Sequence, residues 1–378
     1  MSDVVIAGYA RSPFTLANKG ALARTRPDDL AAQTIRGLLE RTKVDPAEIE
    51  DIVLGCAFPE GEQGLNVARL IGLLADLPLQ VGGVTINRFC GSSMSAIHYA
   101  MGQIAIGAGE AFIAAGIESM SRIPMGGFNP MPSPELYAKR PGAYMGMGET
   151  AENVARDYQI PRAEQEALAV KSQQKAAAAR SAGKLVDEIV PIKTKGGDVT
   201  EDGIIRADTT AEILAGLKPA FDKEGTVTAG TSSPLTDGAS AVLVTSAEFA
   251  AKHGLKVLAK IKAVGIMGCA PETMGLGPIG ASKKALERAG ITADQLDVVE
   301  INEAFASQAI ACIRDLGLKE ETINIDGGAI AIGHPLGATG ARIVGKAAAL
   351  LEREGGKYAL ATQCIGGGQG IATVLERA

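Results

Sequence analysis

Tryptophan is absent from the 378-residue chain, and there are only three histidines. Neither a Cys-x-x-Cys nor a His-x-x-x-His spacing occurs, so the sequence predicts no metal site. Cysteine is odd in number and unpaired in spacing, which argues against a disulfide framework and predicts reduced thiols. The five cysteines are Cys56, Cys90, Cys269, Cys312 and Cys364.

Long apolar runs and blocks of one charge are also missing. No stretch approaches the roughly 18 apolar residues of a membrane span, and the first residues, MSDVVIAGYARSPF, lack the pattern of a secretory leader. The net charge is −6 with no basic block, so nucleic-acid binding lacks its usual electrostatic basis. We therefore expect a cytoplasmic protein without a membrane span or a nucleic-acid partner.

An internal repeat is the strongest signal of organisation. Residues 38–55 and 285–302 share a helix end, a polar turn and an apolar strand in one register. Strand–helix–strand patterns then recur, from TINRFC to EAFIAAG in the first half and from TINIDGG to KYALATQC in the second. The chain is also long enough, at 46% hydrophobic content, for two or three packed domains. We predict two similar α/β halves whose mostly parallel sheets are covered by helices.

The segment between the halves differs in composition. It begins with a stretch rich in proline, methionine and glycine and continues as a charged helical pattern, broken at Ile160–Pro161 and ended by Gly183. We interpret it as an inserted loop domain. The predicted boundaries are 1–118 with 236–257 for the first half, 119–235 for the insertion and 258–378 for the second half.

Cys90 lies in NRFCGSSMSA, where an apolar strand is followed by a helical pattern. A thiol at the start of a helix meets free backbone N–H groups and the positive end of the helix dipole, both of which favour the thiolate. Such a cysteine suits exchange with a thioester, because the attacking and leaving groups are both thiols. The alternative is a buried cysteine that only fills space.

Three further residues stand at the ends of predicted elements. His334 lies on the glycine-rich stretch GGAIAIGHPLGATG and could activate a thiol or donate to an oxyanion. Cys364 precedes three glycines, where exposed N–H groups can bind an anionic oxygen and the thiol can carry a proton. Asn302 follows the strand DVVEI and could hold a water or polarise a carbonyl, although a turn-forming role is the common alternative.

These blocks together resemble the thiolase family, over nearly the whole chain. The resemblance is carried by NRFCGSS around Cys90, NEAF at 302–305, GGAIAIGHPLGATG around His334 and CIGGGQG from Cys364, in that order. Supporting blocks are GTVTAGTSSPLTDGA, AENVA and MGLGPIGASKKAL. The resemblance implies a duplicated five-layered αβαβα thiolase fold with an inserted loop domain. It also implies coenzyme A thioesters as substrates.

Roles follow from the resemblance, position by position. Cys90 is implied to be the nucleophile that becomes acylated, His334 the group that activates it and Cys364 the acid/base. One oxyanion site is implied to be His334 with a water held by Asn302, and the other the backbone N–H groups of Cys90 and Gly366. A last set of residues is implied to line the pantetheine or acyl end of the substrate pocket, and ordinary packing is their alternative. They are Ser233, Met147, Met274 and Phe305.

The preferred activity is thiolytic cleavage of 3-ketoacyl-CoA in fatty-acid β-oxidation, by an acyltransferase that can also run as a Claisen condensation. Gly146 stands where the short-chain biosynthetic thiolases typically have histidine, and NRFCGSS is similar to the degradative class. An acetoacetyl-CoA-forming acetyltransferase is the alternative, followed by a non-catalytic thiolase-like binding protein. A decarboxylating ketoacyl synthase is disfavoured by the second thiol, Cys364.

The resemblance also bears on ligands and partners. Coenzyme A is expected as a substrate, with no permanently bound cofactor. A homodimer or homotetramer is expected, and a hydratase/dehydrogenase of β-oxidation is a candidate partner. Lysine and arginine are scattered, so no residue can be assigned to the phosphates of coenzyme A.

Overall fold

A computed structural model describes residues 3–378. This part of the chain contains twelve strands and twelve α-helices. The strands are β1 (Val4–Arg11), β2 (Thr15–Leu16), β3 (Asp51–Cys56), β4 (Gly82–Ile86), β5 (Ala111–Ser119), β6 (Ile192–Thr194), β7 (Gly197–Val199), β8 (Thr236–Ser246), β9 (Ala259–Gly268), β10 (Val298–Ile301), β11 (Tyr358–Ile365) and β12 (Gln369–Glu376).

The helices range from four to twenty residues. None of those within residues 3–378 is long and apolar enough to cross a bilayer. They are α1 (Pro27–Thr42), α2 (Val67–Leu74), α3 (Ser92–Ala105), α4 (Pro134–Lys139), α5 (Met147–Asp157), α6 (Arg162–Ser181), α7 (Ala211–Ala215), α8 (Ala247–Lys252), α9 (Gly277–Ala289), α10 (Ala306–Leu316), α11 (Ala329–Ile332) and α12 (Leu336–Glu354).

The strand order shows the duplication directly. The first half runs β4-β3-β5-β8-β1, and the second continues as β9-β12-β11-β10, so equivalent strands occupy equivalent places. Only two residue pairs, Val5–Lys260 and Ile6–Ala259, join the halves along β1 and β9. The α/β duplication predicted from the repeat is therefore confirmed.

Two sequence expectations about the sheet are wrong. Antiparallel pairs outnumber parallel ones, because β8 and β12 join their sheets without a crossover helix; β12 follows β11 after a three-glycine turn. The strand predicted at TINIDGG is reduced to a single bridge between Ile323 and Val299. Instead, the side-chain amide of Asn324 bonds to both backbone groups of Ile301, at 3.0 Å each, and replaces the ladder there.

The strands and helices form five layers, and successive side chains along a strand face different layers. In β3, Ile52 and Leu54 face the outer helices α1 and α2, whereas Val53 faces a central layer. That central layer consists of α3 and α12, which pack between the two sheets. Helices α9 and α10 cover the far side of the second sheet. The three largest apolar clusters of the core thus lie between successive layers, in the αβαβα arrangement that the motifs implied.

The two central helices approach each other closely at Gly340. A Cβ atom placed on Gly340 would lie 2.2 Å from the backbone nitrogen of Met94, so α12 and α3 touch backbone to backbone there. Cys90 lies two residues before α3, and His334 lies two residues before α12. The contact at Gly340 therefore sets the spacing of the two helices that begin at these residues.

Residues 119–235 contain α4–α7 and the β6–β7 hairpin. The predicted helical break is confirmed, since α5 ends at Asp157 and α6 begins after Pro161; Gly183 follows α6 with φ +71°. Buried ion pairs attach this segment to both halves, because Arg11 of β1 bonds to Asp202 at 2.7 Å and Lys346 of α12 bonds to Glu188 at 2.8 Å. The domain boundaries themselves stay a prediction.

Candidate active site

Cys90 lies in a tight turn, Phe89–Gly91, between β4 and α3. Phe89 has φ +43°, a left-handed conformation that a bulky residue adopts only under strain, so the turn is held by its surroundings. Ser92 bonds to the turn on both sides, accepting from the Arg88 N–H and donating to the Phe89 carbonyl. The Gln363 amide donates to the carbonyl of Cys90 itself. The thiol position is therefore fixed from two elements.

Burial dominates the charge state of Cys90. Removal from water raises the pKa of its thiol to about 11, while the backbone N–H groups of Gly366 and Cys90, which bond to the sulfur, oppose that rise. The helix-start thiolate expected from the sequence is therefore wrong for the resting site, because desolvation outweighs the N–H groups. A base must take the proton before Cys90 can attack.

His334 presents such a base. Its Nδ1 lies 2.6 Å from Thr339 Oγ1, and that hydroxyl donates to the Pro335 carbonyl at 3.0 Å. Because the hydroxyl donates its proton to that carbonyl, it can only accept a hydrogen bond from Nδ1. Nδ1 therefore carries the hydrogen of the imidazole, and Nε2 keeps its lone pair. Burial, followed by the nearby Arg342 cation, lowers the pKa of His334 to about 3. The imidazole is neutral at pH 7 and can accept a proton on Nε2.

Asn302 lies on the other side of the imidazole, at the end of β10. Its Nδ2 is 3.4 Å from His334 Nε2, and its Oδ1 has no hydrogen-bond partner among residues 3–378. The neighbouring Glu303 holds this corner by accepting from Ser172 and from the Asn324 amide, at 2.6 and 2.7 Å. The predicted Asn302 thus lies beside the predicted histidine, with an unused acceptor.

Cys364 lies near the end of β11, where its register partner on β12 is Gly370. The turn that follows places Gly367 and Gly368 at φ +81° and +87°, which glycine adopts without strain. Burial raises the pKa of the Cys364 thiol well above its usual range, and the neighbouring Cys90 raises it further. The second thiol is therefore neutral and able to donate a proton.

A cavity of about 500 Å³ brings most of the predicted site residues together. Cys90, His334 and Cys364 share its wall, and all four residues predicted to line the substrate pocket line it too. Asn302 and Gly366 do not line the cavity themselves. Asn302 contacts His334 and Gly366 lies against Met147, and both of these neighbours line it. The lining residues predicted from the sequence are Cys90, Met147, Ser233, Met274, Phe305, His334 and Cys364.

Several lining residues were missed by sequence reasoning. Phe221 packs edge-on against Phe305, with ring centroids 5.8 Å apart, and it comes from an irregular segment with no sequence signal. Thr339, which contacts the His334 ring without lining the cavity, could also have been found, because it follows His334 in the same glycine-rich block. The remaining missed lining residues are mostly apolar and belong to the inserted segment, to loops or to the start of α12. They include Met120, Met125, Leu235 and Leu336.

The described residues contain no group of three or more histidine, cysteine or acidic side chains that could hold a metal ion. Around the cavity, the reacting groups are instead two thiols, one imidazole and two backbone N–H groups. This set can accept a proton, donate a proton, form a covalent bond to carbon and bind an oxyanion. It therefore suits acyl transfer between thiols.

Comparison with known proteins decides the family. The model of the thiolase N-terminal domain matches residues 4–248, and that of the thiolase C-terminal domain matches residues 255–377. The chain belongs to the thiolase family. The motif-based recognition is thereby confirmed, as are the fold class and the expectation of an acyl-transferring enzyme. Membership also sets aside the ketoacyl-synthase alternative.

Curated relatives of this thiolase are similar along their whole length. A 3-ketoacyl-CoA thiolase of Bacillus subtilis (strain 168) is 45% identical over 389 residues, covering 100% of both chains. A 3-ketoacyl-CoA thiolase of Vibrio vulnificus (strain CMCP6) is 45% identical with the same coverage. One of Vibrio parahaemolyticus is 47% identical over 99% of this chain and 98% of the relative. The match extends across both halves and the inserted segment.

Proposed function

We propose that this thiolase cleaves 3-ketoacyl-CoA with coenzyme A to give acetyl-CoA and an acyl-CoA shortened by two carbons. The proposal is carried by one observation, the shared cavity that holds two neutral thiols, a neutral imidazole and two N–H groups bonded to the nucleophilic sulfur. The names of the full-length relatives support the same substrate class.

In the first half-reaction, Cys90 transfers its proton to Nε2 of His334 and attacks the 3-keto carbon. The bond between C2 and C3 breaks, its electron pair moves to the acetyl-CoA fragment, and the Cys364 thiol protonates that enolate. In the second half-reaction, Cys364 takes the proton of an incoming coenzyme A thiol, which attacks the acyl group on Cys90. Cys90 leaves as a thiolate and recovers its proton from His334. The reverse path is a Claisen condensation.

Negative charge develops on two oxygens along this path, so two donor sets are needed. We assign the first to His334 together with a water held by Asn302, whose Oδ1 is otherwise unpaired among the described residues. The second set is the backbone N–H pair of Cys90 and Gly366, supported by their bonds to the Cys90 sulfur. Loss of one such donor lowers the rate by about 10²- to 10³-fold.

Substrate is held by the apolar walls of the cavity. Phe305, Met147 and Met274 supply adaptable apolar surface for an acyl chain. The side chain and N–H of Ser233 both bond to the Ala304 carbonyl, at 3.1 and 3.0 Å, which fixes its position on the wall. Gly146, which lines the same cavity, leaves room there that a histidine would fill. We therefore favour 3-ketoacyl chains longer than acetoacetyl, with coenzyme A as substrate and no permanently bound cofactor.

The direct test compares thiolysis of acetoacetyl-CoA with that of a long-chain 3-ketoacyl-CoA. We expect both to be cleaved and the longer substrate to have the higher kcat/KM. Incubation with substrate in the absence of coenzyme A should leave an acyl group on Cys90, detected by peptide mass spectrometry, and Cys90→Ala should lack it. A stable acyl adduct on another cysteine, or folded protein inert toward both thioesters, would refute the proposal. Preference for acetoacetyl-CoA would instead support the short-chain acetyltransferase.

We further propose that the enzyme is a homodimer or homotetramer that serves β-oxidation in the cytoplasm, with a hydratase/dehydrogenase as a candidate partner. Several leucines of the connection from β3 to β4 are exposed, and a concentration of large exposed apolar side chains in one stretch of chain supports self-association. Leu65 and Leu79 are 89% and 77% exposed. Light scattering of Leu79→Asp, with Ile213→Asp on α7 of the inserted segment as the control, should show loss of the oligomer only for Leu79→Asp; Ile213 is 54% exposed. Wild type that remains monomeric at micromolar concentration would contradict self-association.

A further inference from the structure

A buried pair of charged side chains lies behind the imidazole of the active site. Arg342 of α12 bonds through Nη1 to Oε2 of Glu300 on β10, at 2.9 Å, and the two side chains are 1% and 0% exposed. Neither residue lines the cavity, and the chemistry above uses neither. The pair therefore needs a separate explanation.

Its position connects the two elements that contact His334. Arg342 follows Thr339 by three residues on α12, so both side chains project from one face of the helix. Glu300 precedes Asn302 by two residues, so the two share one face at the end of β10. Thr339 contacts Nδ1 of the imidazole, and Asn302 lies at Nε2. The Arg342–Glu300 bond thus joins α12 and the end of β10, the two elements whose residues contact the His334 ring.

The pair is an expensive choice for stability alone. The free-energy cost of desolvating two ionisable groups is offset only when their remaining polar atoms also form hydrogen bonds. Nε and Nη2 of Arg342 and Oε1 of Glu300 have no partner among the side chains of residues 3–378. The other buried cation of α12, Lys346, bonds to Glu188 and Asp326 and so does not replace Arg342. Apolar residues would fill the same space at lower cost.

We propose that the Arg342–Glu300 pair is a positioning device that fixes His334 between Thr339 and Asn302. The inference rests on the proposed function, because it concerns the residue that takes the proton of Cys90. Arg342 and Glu300 do not touch the reacting atoms in this scheme. They hold α12 against β10 so that the imidazole meets the thiol in one orientation.

The test is alkylation of Cys90 by iodoacetamide, which requires no thioester. The Cys90 sulfur forms a bond to the methylene carbon, iodide leaves with its electron pair, and His334 takes the thiol proton. Alkylation at Cys90 is measured by peptide mass spectrometry. We expect Arg342→Met to slow it by about 10²-fold, the loss in rate that misplacing a reacting group by about 1 Å can cause. The rate should then follow the pH dependence of an unassisted thiol. In thiolysis, kcat should fall with KM nearly unchanged.

Two further variants separate positioning from folding. Arg342→Lys keeps one donor for Glu300 and should restore part of the rate. The double variant Arg342→Met with Glu300→Met removes both charges; it should recover thermal stability relative to Arg342→Met but not the alkylation rate. Arg353→Met, in the last turn of the same helix and paired with Asp326, is the matched control and should alkylate at the wild-type rate.

Each result bears on one claim. A wild-type alkylation rate in folded Arg342→Met, or its recovery in the double variant, would overturn the positioning role. If neither ketoacyl-CoA is cleaved while Arg342→Met still slows alkylation, the proposed function fails and the positioning role stands. If thiolysis proceeds normally and Arg342→Met alkylates normally, only the positioning role fails.

Discussion

A single methyl group at Gly340 should separate the two halves of the active site. The Cβ of Gly340→Ala would lie 2.2 Å from the backbone nitrogen of Met94, and ordinary contact begins near 3.4 Å, so α12 and α3 must move apart by about 1.2 Å. The neighbour is main chain and cannot rotate away. Because Cys90 and His334 lie just before these helices, the displacement acts on the distance between thiol and imidazole.

The magnitude follows from that displacement. Misplacing a catalytic group by about 1 Å costs about 10²-fold in rate, and overpacking a core costs about 1–3 kcal/mol. We therefore expect Gly340→Ala to remain folded, to unfold at lower denaturant and to lose about 10²-fold in kcat/KM for thiolysis.

A matched control lies on the facing helix. A methyl group added at Gly102 of α3 would have no neighbour within 4 Å, so Gly102→Ala should gain about 0.5–1 kcal/mol from helix propensity at unchanged activity. Initial thiolysis rates and urea unfolding of both variants provide the comparison. If Gly340→Ala keeps its activity within about twofold, the helix spacing does not control the site and the reasoning is refuted.

Other consequences can be checked with the same assays. Thr339→Val leaves the His334 Nδ1–H without an acceptor, and a buried unpaired donor costs about 1–3 kcal/mol. We therefore expect kcat to fall about tenfold or more in Thr339→Val and to be restored in Thr339→Ser. Equal kcat in both variants would contradict this. Desolvation raises the pKa of Glu300 to about 7 from 4.5, so folded protein binds the extra proton and stability falls as pH rises between these values. Glu300→Gln should remove about 3 kcal/mol of that fall, measured by urea unfolding at pH 4.5 and 8, and an unchanged profile would refute the assignment. In Glu300→Gln, which removes the titration of that carboxyl, the pKa values of about 3 for His334 and about 11 for Cys90 predict no inflection of kcat/KM for thiolysis near pH 6.5, where an exposed imidazole would produce one.

The reacting residues could be found from the sequence because each lies in a local pattern. Cys90, His334 and Cys364 stand beside glycines that the backbone geometry requires, such as Gly333 and Gly367 at φ +109° and +81°. The repeat likewise predicted the duplicated halves, since equivalent elements bury equivalent faces. Local sequence was sufficient wherever local backbone geometry determined the position.

Features that depend on distant partners could not be predicted in this way. The charge state of Cys90 depends on burial by elements from both halves, and this reverses the effect of the helix start. The strand expected around Ile323 is absent because the Asn324 side chain takes the bonds that a strand would make. Phe221 reaches the cavity from an irregular segment whose path has no periodic pattern. The prediction of mostly parallel strands was wrong for the same reason, since the alternation of strands and helices in the sequence does not reveal which connections are hairpins.

The shared central layer has a consequence for the autonomy of the two halves. Each half contributes one helix to this layer, and the layer is covered only when both sheets are present. A fragment ending at the Gly254 turn would leave Met94, Ile97 and Ile104 of α3 uncovered by the second half, and the complementary fragment would leave the apolar side of α12 uncovered in the same way. Each half packs its own outer helices against its own sheet, but neither half alone covers its central helix. Fragments produced separately should aggregate, whereas fragments produced together should assemble into one enzyme.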